Sequence, residues 1–135
     1  MKLIIAGSRT ITGGTHLIDM AIQQFPELQY AVNYGLIVEV VSGTANGIDK
    51  LGETWAETYP EFANRTAPRV VHFPANWNAF QRAAGPMRNK EMAAYADALL
   101  LIWDGESKGS ANMKMQMEKL KKPIYEVVFR GPKKA

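Results

Sequence analysis

Short apolar runs alternate with amphipathic stretches along almost the whole chain. The runs are mostly continuous rather than alternating apolar and polar, with Glu39 as an interruption in the second, which is typical of strands covered on both faces. Five of them have strand length: residues 3–6, 36–41, 70–73, 99–103 and 125–129. Between them, apolar residues recur at helical spacing, as in Ile18, Ala21, Ile22 and Phe25. The pattern predicts an α/β fold, a Rossmann-like doubly wound sandwich of about five mostly parallel strands with helices on both faces.

Prolines set the expected limits of several helices. Pro26 predicts the end of the first helix, so residues 29–35 are expected to be a surface connection, as are residues 61–69. Pro86 suits the first position of a helix that runs to about Ala96. Residues 74–85, just before that helix, are expected to form a loop or a broken helix.

Length and composition narrow the class of protein. The chain has 135 residues, no cysteine and a formal net charge of +3. We expect one domain over residues 1–129 and a basic tail over residues 130–135. Without cysteine, or an apolar run long enough for a membrane span, a cytoplasmic location and no membrane partner are expected. The mild positive charge favours anionic ligands without by itself indicating nucleic acid.

Four polar segments each follow a predicted strand. They are GSRT, SGTANGID, FPANW and WDGESKGS, and they are rich in Gly, Ser, Thr and Asn. The carboxyl ends of parallel strands meet at one edge of the sheet, where open α/β sheets bind ligands. The sequence therefore predicts a binding site at this edge. Each segment taken singly also fits a tight turn or a helix cap.

Several charged residues near this edge are candidates for the site, and some of them can be interpreted in more than one way. Arg88 stands early in the helix opened by Pro86, where it opposes the helix dipole unless it grips an anion; the alternative is pairing with Glu91 or another carboxylate. Asp49 favours its own helix terminus, holds a ribose hydroxyl or orients a loop. Asp104, at the tip of the fourth strand, is better placed to face the crevice, and Glu106 is less constrained.

Arg9, just past the first strand, is a cationic candidate similar to Arg88. Arg82 and Lys108 are weaker cationic candidates, and Trp77 and Phe80 are candidate base-stacking aromatics or lids on the core. The two histidines, His16 and His72, show neither metal spacing nor a catalytic arrangement, so we expect no metal site and no cofactor. Dinucleotide and P-loop glycine motifs do not occur.

Read together, these segments resemble a known superfamily. SGTANGID resembles the S-G-x-A-x-G-x-D signature of the SLOG superfamily, Rossmann-like domains that include DprA and the Lonely-guy hydrolases. GSRT, the G-P-M-R-N run at residues 85–89, and the segment from Ala96 to Ser110 look like its small stand-alone YspA-like branch. The resemblance runs from Met1 to about Phe129.

The resemblance implies that the crevice binds a nucleotide or a nucleotide derivative, as a sensor or processing module. By the same resemblance, Arg88 and Asn89 would contact phosphate, and a dimer or higher oligomer is expected. The ligand-binding candidates are Gly7, Ser8, Arg9, Ser42, Gly43, Thr44, Ala45, Gly47, Asp49, Arg88, Asn89, Asp104, Gly109 and Ser110.

Two other functions stay open. Lonely-guy enzymes carry a glutamate in P-G-G-x-G-T-x-x-E, and aligning Gly109-Ser110 with that G-T places Met113 there. A nucleotide hydrolase, acting on an N-glycosidic or a phosphoester bond, would then need another carboxylate, with Asp104, Glu106 and Glu91 as the candidates. A DprA-like binder of single-stranded DNA fits the SGTANGID segment, but stacking aromatics are few.

Overall fold

The computed structural model describes residues 1–58 and 67–129. Within these residues five strands form one parallel sheet. They are β1 (Lys2–Gly7), β2 (Glu39–Ser42), β3 (Arg69–His72), β4 (Ala98–Trp103) and β5 (Ile124–Val128). Their order across the sheet is β3-β2-β1-β4-β5, and every neighbouring pair is parallel. The predicted Rossmann-like α/β fold is confirmed.

Helices cover both faces of the sheet. In chain order they are α1 (His16–Gln23), α2 (Pro26–Asn33), α3 (Ile48–Thr58), the short α4 (Trp77–Phe80), α5 (Ala84–Tyr95) and α6 (Lys108–Lys119). The apolar faces of α1, α2 and α3 pack on one side of the sheet. Those of α5 and α6 pack on the other side. A 3-10 turn over Gln81–Ala83 joins α4 to α5.

The central strands explain why the apolar runs are mostly continuous. Successive side chains of a strand point to opposite faces, and both faces are covered here. Leu3 and Ile5 of β1 pack under α1 to α3, whereas Ile4 packs under α5 and α6. All three are fully buried, and burial of each such side chain contributes about 1.5–3 kcal/mol to stability.

The structure corrects the expectations based on proline. The first helix ends at Gln23, just before Pro26 as predicted, but Pro26 is also the first residue of a new helix, α2, where its missing N–H costs nothing. Residues 29–33 therefore lie in a helix, and Leu28 and Ala31 bury its inner face. Pro86 is the third residue of α5, which begins at Ala84.

Other expected bounds shift by a few residues. β2 begins at Glu39 rather than at residue 36, and β3 begins at Arg69, which the sequence assigned to a connection. Residues 74–85 contain α4 and the 3-10 turn, as expected of a broken helix. The expected connection at residues 61–69 falls mostly outside the described residues, and so does the basic tail over residues 130–135.

Candidate functional site

A cleft of about 280 Å³ lies at the carboxyl ends of β1 and β4. Strand order reverses between these two strands, since β2 and β3 lie on one side of β1, and β4 and β5 lie on the other. Such a reversal is where doubly wound sheets leave room for a ligand. The cleft is lined by Ala6, Gly7, Arg9, Thr10, Ala45, Asp49, Arg88, Asn89, Met92, Asp104, Ser107, Lys108, Gly109, Ser110 and Met113.

Ser8 fixes the base of the cleft. Its side chain is 1% exposed, and its Oγ lies 2.9 Å from the Oγ of Ser107. The same Oγ accepts a hydrogen bond of 3.0 Å from the amide of Asp104. Ser8 therefore joins the end of β1 to the segment between β4 and α6, beneath the cleft rather than on its surface.

Asp104 organises the start of α6. Its Oδ1 accepts hydrogen bonds from the amides of Glu106 and Ser107, both at 2.8 Å, and from the Ser107 hydroxyl at 2.9 Å. These donors lower the pKa of Asp104 to about 2. A carboxylate held in this way stays ionised at neutral pH, so it is poorly suited to donate a proton.

The segment between β2 and α3 is held by a buried carboxylate. Ser42 Oγ donates to Glu53 Oε2 at 2.6 Å and accepts from the amide of Thr44 at 3.0 Å. The other Glu53 oxygen lies 3.2 Å from His72 Nε2. Thr44 adopts a φ of 64°, a conformation that a residue with a side chain rarely takes. These contacts place the backbone of residues 43–45 at the cleft wall.

Asp49 is the buried carboxylate of the cleft itself. It lies in the first turn of α3, is 5% exposed, and accepts a hydrogen bond of 3.3 Å from the amide of Ala45. Burial raises the pKa of Asp49 to about 6, against the opposing effects of the Ala45 and Gly7 amides and the Arg88 guanidinium. Asp49 can therefore exchange a proton near neutral pH.

Arg88 and Asn89 connect the two walls of the cleft. Arg88 Nη1 donates to the carbonyl oxygen of Gly43, in the segment before α3. Asn89 Nδ2 donates to the Gly109 carbonyl at 3.2 Å and to Asn112 Oδ1 at 3.0 Å, both on α6. Two adjacent residues of α5 thus tie down the segments that follow β2 and β4.

The contacts of Arg88 differ from the sequence interpretation. Because α5 begins at Ala84, Arg88 is in the second turn, where the helix dipole is weaker than at the terminus. Its guanidinium faces the cleft rather than Glu91, which is exposed. Burial lowers the pKa of Arg88, the nearby Asp49 carboxylate raises it, and the positive charge of Arg9 lowers it further.

Three glycines allow close packing within the protein. A side chain at Gly43 would lie 2.8 Å from both Arg88 Nη1 and Asp49 Oδ2. At Gly7 it would collide with the Ile102 carbonyl of β4. Gly47 has a φ of 76° and packs against the carbonyl oxygens of Ser8 and Arg9. Their first role is to bring the protein's own groups together.

The structure brings nine of the fourteen ligand-binding candidates to the cleft surface. They are Gly7, Arg9, Ala45, Asp49, Arg88, Asn89, Asp104, Gly109 and Ser110. The other five support the cleft from behind or beside it: Ser8, Ser42, Gly43, Thr44 and Gly47. Among the proposed carboxylates, Glu91 and Glu106 are exposed and do not line the cleft.

Sequence reasoning did not single out the apolar floor. Met92 and Met113 line the cleft while each is at most 2% exposed, because both also belong to the core under α5 and α6. The sequence alignment placed Met113 at the position of the Lonely-guy glutamate, and in the structure its side chain is part of this apolar floor. Ala6 also lines the cleft, and only the sheet geometry identifies it. Thr10 lines the cleft too and belongs to the GSRT segment, although the sequence did not single it out as a ligand-binding residue. Trp77 and Phe80, 48% and 47% exposed, do not line it.

Comparisons with known proteins identify no relative of this chain. The chain matches no protein-family model, no curated protein and no solved structure, so membership of the SLOG superfamily stays a prediction. Across residues 1–58 and 67–129, no three acidic or histidine side chains are grouped as metal ligands. No helix of those same residues is long and apolar enough to cross a membrane.

Proposed function

We propose that the cleft binds a nucleotide or a nucleotide-derived small molecule, as a sensor or processing module. The observation that carries the proposal is the set of cationic groups at the point where strand order reverses. Arg9, Arg88 and Lys108 all line the cleft there. The first turn of α6 adds backbone amides that have no acceptor within the helix, together with the positive end of its dipole.

The remaining lining supports the same class of ligand. Met92 and Met113 offer an apolar surface to a ring, while the cations and the α6 amides suit a phosphate group. A volume of about 280 Å³ is close to the lower limit of the ~300–1,000 Å³ pockets that enclose drug-sized ligands. It suits one small molecule better than a chain of nucleotides.

Ligand screening tests the proposal directly. Thermal unfolding should be measured with mono-, di- and cyclic nucleotides, nucleotide sugars and a short single-stranded DNA, and hits confirmed by calorimetry. We expect at least one mononucleotide or nucleotide derivative to raise Tm in a saturable manner. Binding of the DNA alone, with a steep salt dependence, would instead favour the DprA-like function. No shift with any compound would contradict ligand binding here.

Charge-removing variants locate the site of any hit. Arg9→Gln and Lys108→Gln each remove one cleft cation, and neither residue is buried. Each should weaken binding about tenfold or more, the typical effect of one charge-assisted hydrogen bond. Arg82→Gln is the matched control, since Arg82 is exposed and does not line the cleft. Equal effects of all three variants would place the ligand elsewhere.

A second candidate function is nucleotide hydrolysis, favoured by the burial of Asp49 in the cleft. A carboxyl group with a pKa of about 6 can protonate a leaving base, whereas Asp104 stays ionised. Water would add its hydroxyl to the sugar carbon as the N-glycosidic bond breaks, the base would leave with the proton of Asp49, and the proton released by the water would return to the Asp49 carboxylate. Chromatography after incubation with nucleoside monophosphates should then show free base that Asp49→Asn abolishes. Unchanged nucleotides across the panel would reject this candidate.

A further inference from the structure

The two walls of the cleft offer different polar groups to a ligand, and each also carries a carboxylate, Asp104 on the β4 side and Asp49 on the β2 side. On the β4 side, Lys108, Gly109 and Ser110 present a cation and the first turn of α6. On the β2 side, Ala45 and the buried carboxylate of Asp49 line the same cleft. These walls belong to helices on opposite faces of the sheet, so a ligand that fills the cleft meets both.

The β2 wall selects for a hydrogen-bond donor. An ionised carboxylate offers about four acceptor positions and no donor. Two of these positions serve the backbone amides of Ala45 and Gly7. Capacity therefore remains for a donor on the ligand. An anionic group placed against Asp49 would be repelled and would lose its hydration without compensation.

We propose that Asp49 accepts a hydrogen bond from a sugar hydroxyl while the α6 wall holds the phosphate, so that the site takes a hydroxylated phosphate ester such as a ribonucleoside 5′-monophosphate in one orientation. The proposal rests on nucleotide binding by this cleft. It adds the sugar and the direction in which the ligand lies. Free phosphate, which lacks the donor and places all its charge in one group, binds more weakly than the ester.

The charged groups around Asp49 leave its carboxylate able to accept a hydrogen bond from the sugar. Arg88 of α5 lies close enough to affect the Asp49 pKa, but its Nη1 donates to the Gly43 carbonyl. Glu53, one turn along α3, is directed to Ser42 and His72. Arg9, Lys108 and Asp104 are the other charged groups that line the cleft. A hydroxyl donor thus complements Asp49 without disturbing the contacts that hold the walls.

The test compares ligands that differ only in their hydroxyls. Calorimetric Kd values should be measured at pH 7.5 for the four common ribonucleoside 5′-monophosphates, for their 2′-deoxy and 2′,3′-dideoxy forms, and for inorganic phosphate. We expect the dideoxy form of the best ligand to bind about tenfold or more weakly than its ribose form, since a hydrogen bond to a charged group is lost. In Asp49→Asn the two forms should bind within about threefold of each other.

A pH series tests the role of Asp49 without a substitution. Phosphate groups also titrate near pH 6. The measured quantity is therefore the Kd of the dideoxy form divided by the Kd of the ribose form, because the phosphate titration is shared by both and cancels. The ratio should fall toward one as the pH is lowered from 7.5 to 5 and Asp49 becomes protonated. Discrimination that persists at pH 5 and in Asp49→Asn would show that another group reads the sugar, and would overturn the proposal.

The outcomes separate this inference from the function on which it rests. If ribose and dideoxy forms bind equally well at pH 7.5, nucleotide binding stands and the role of Asp49 is wrong. If no nucleotide binds, both are wrong. Inorganic phosphate that binds as tightly as the best ester would contradict the expected division of the cleft into a phosphate wall and a sugar wall.

Discussion

Asp49 gives the stability of the protein a defined pH dependence. Burial raises its pKa to about 6 from an ordinary 3.8, so between these values the folded state binds more protons than the unfolded state. The contribution of Asp49 to stability is therefore largest below pH 3.8 and is lost as pH rises through 6. The loss amounts to at most about 3 kcal/mol. Urea unfolding from pH 4 to 7 should show this decline in the wild type.

Asp49→Asn is the control for that measurement. A neutral amide does not titrate, so the difference in unfolding free energy between the two proteins should shift in favour of the variant as pH rises from 4 to 6.5. Asp104 affects stability in a separate pH range. Because its pKa is lowered, its contribution to stability is lost only as the pH falls from about 4 toward 2. A difference that stays constant from pH 4 to 7 would contradict the raised pKa of Asp49.

Gly47 tests whether the glycines of SGTANGID serve the fold. With a φ of 76°, a side chain there is strained, and it would lie 2.7 Å from the Arg9 carbonyl oxygen. Gly47→Ala should lower the unfolding free energy by about 2 kcal/mol. Gly109→Ala is the matched control, because nothing lies within 4 Å of the added carbon and α6 gains helix propensity. If both variants unfold alike, Gly47 has no special conformational role.

At the scale of elements, Asn89 couples α5 to α6. It is 6% exposed, and its Nδ2 donates hydrogen bonds to two residues of α6, Gly109 and Asn112. Asn89→Leu removes the two hydrogen bonds to the Gly109 carbonyl and to Asn112 Oδ1, which together should cost about 1–3 kcal/mol. Amide exchange should also quicken in the first turns of α6. Asn78→Leu, at an exposed position of α4, should change neither measurement.

Lys122 closes the carboxyl end of α5. Its Nζ donates to the carbonyl oxygens of Ala93, Ala94 and Ala96 at 2.7, 3.1 and 2.7 Å. These carbonyls belong to the negative end of the helix dipole, which a cation stabilises. Lys122→Met keeps most of the stem and should lower the unfolding free energy by about 1–2 kcal/mol. Lys90→Met, at an exposed position in the second turn of α5, serves as control; an equal loss there would reject the capping role.

The helices and strands also show how much of the structure could be predicted from the sequence alone. Mostly continuous apolar runs predicted the five strands and the parallel sheet, because a strand that is buried on both faces needs apolar residues at successive positions. Pro26 misled, since a proline that ends one helix can equally begin the next. The contacts of Arg88 with Gly43, and of Asn89 with Gly109, join residues far apart in the chain. No local pattern encodes such partners, so the links between the cleft walls were not predicted.

At the scale of the whole molecule, the cleft lies at the ends of the most deeply buried strands of the sheet. The apolar residues of β1 and β4 are at most 8% exposed, and each strand pairs with neighbours on both sides. β3 and β5 lie at the edges and are partly exposed along their length. A site at the ends of β1 and β4 is therefore fixed by the part of the sheet with the greatest burial.

This arrangement predicts an order of local stability. Amides of β1 and β4 should exchange with deuterium only through global unfolding, at a free energy close to that from urea denaturation. Amides of β3 and β5 should exchange at least tenfold faster, since an edge strand can open without exposing the centre of the sheet. A bound nucleotide should slow exchange at the cleft walls, at Ala45 and the start of α6, more than in β3. Uniform protection across all five strands would show instead that the sheet opens as one unit.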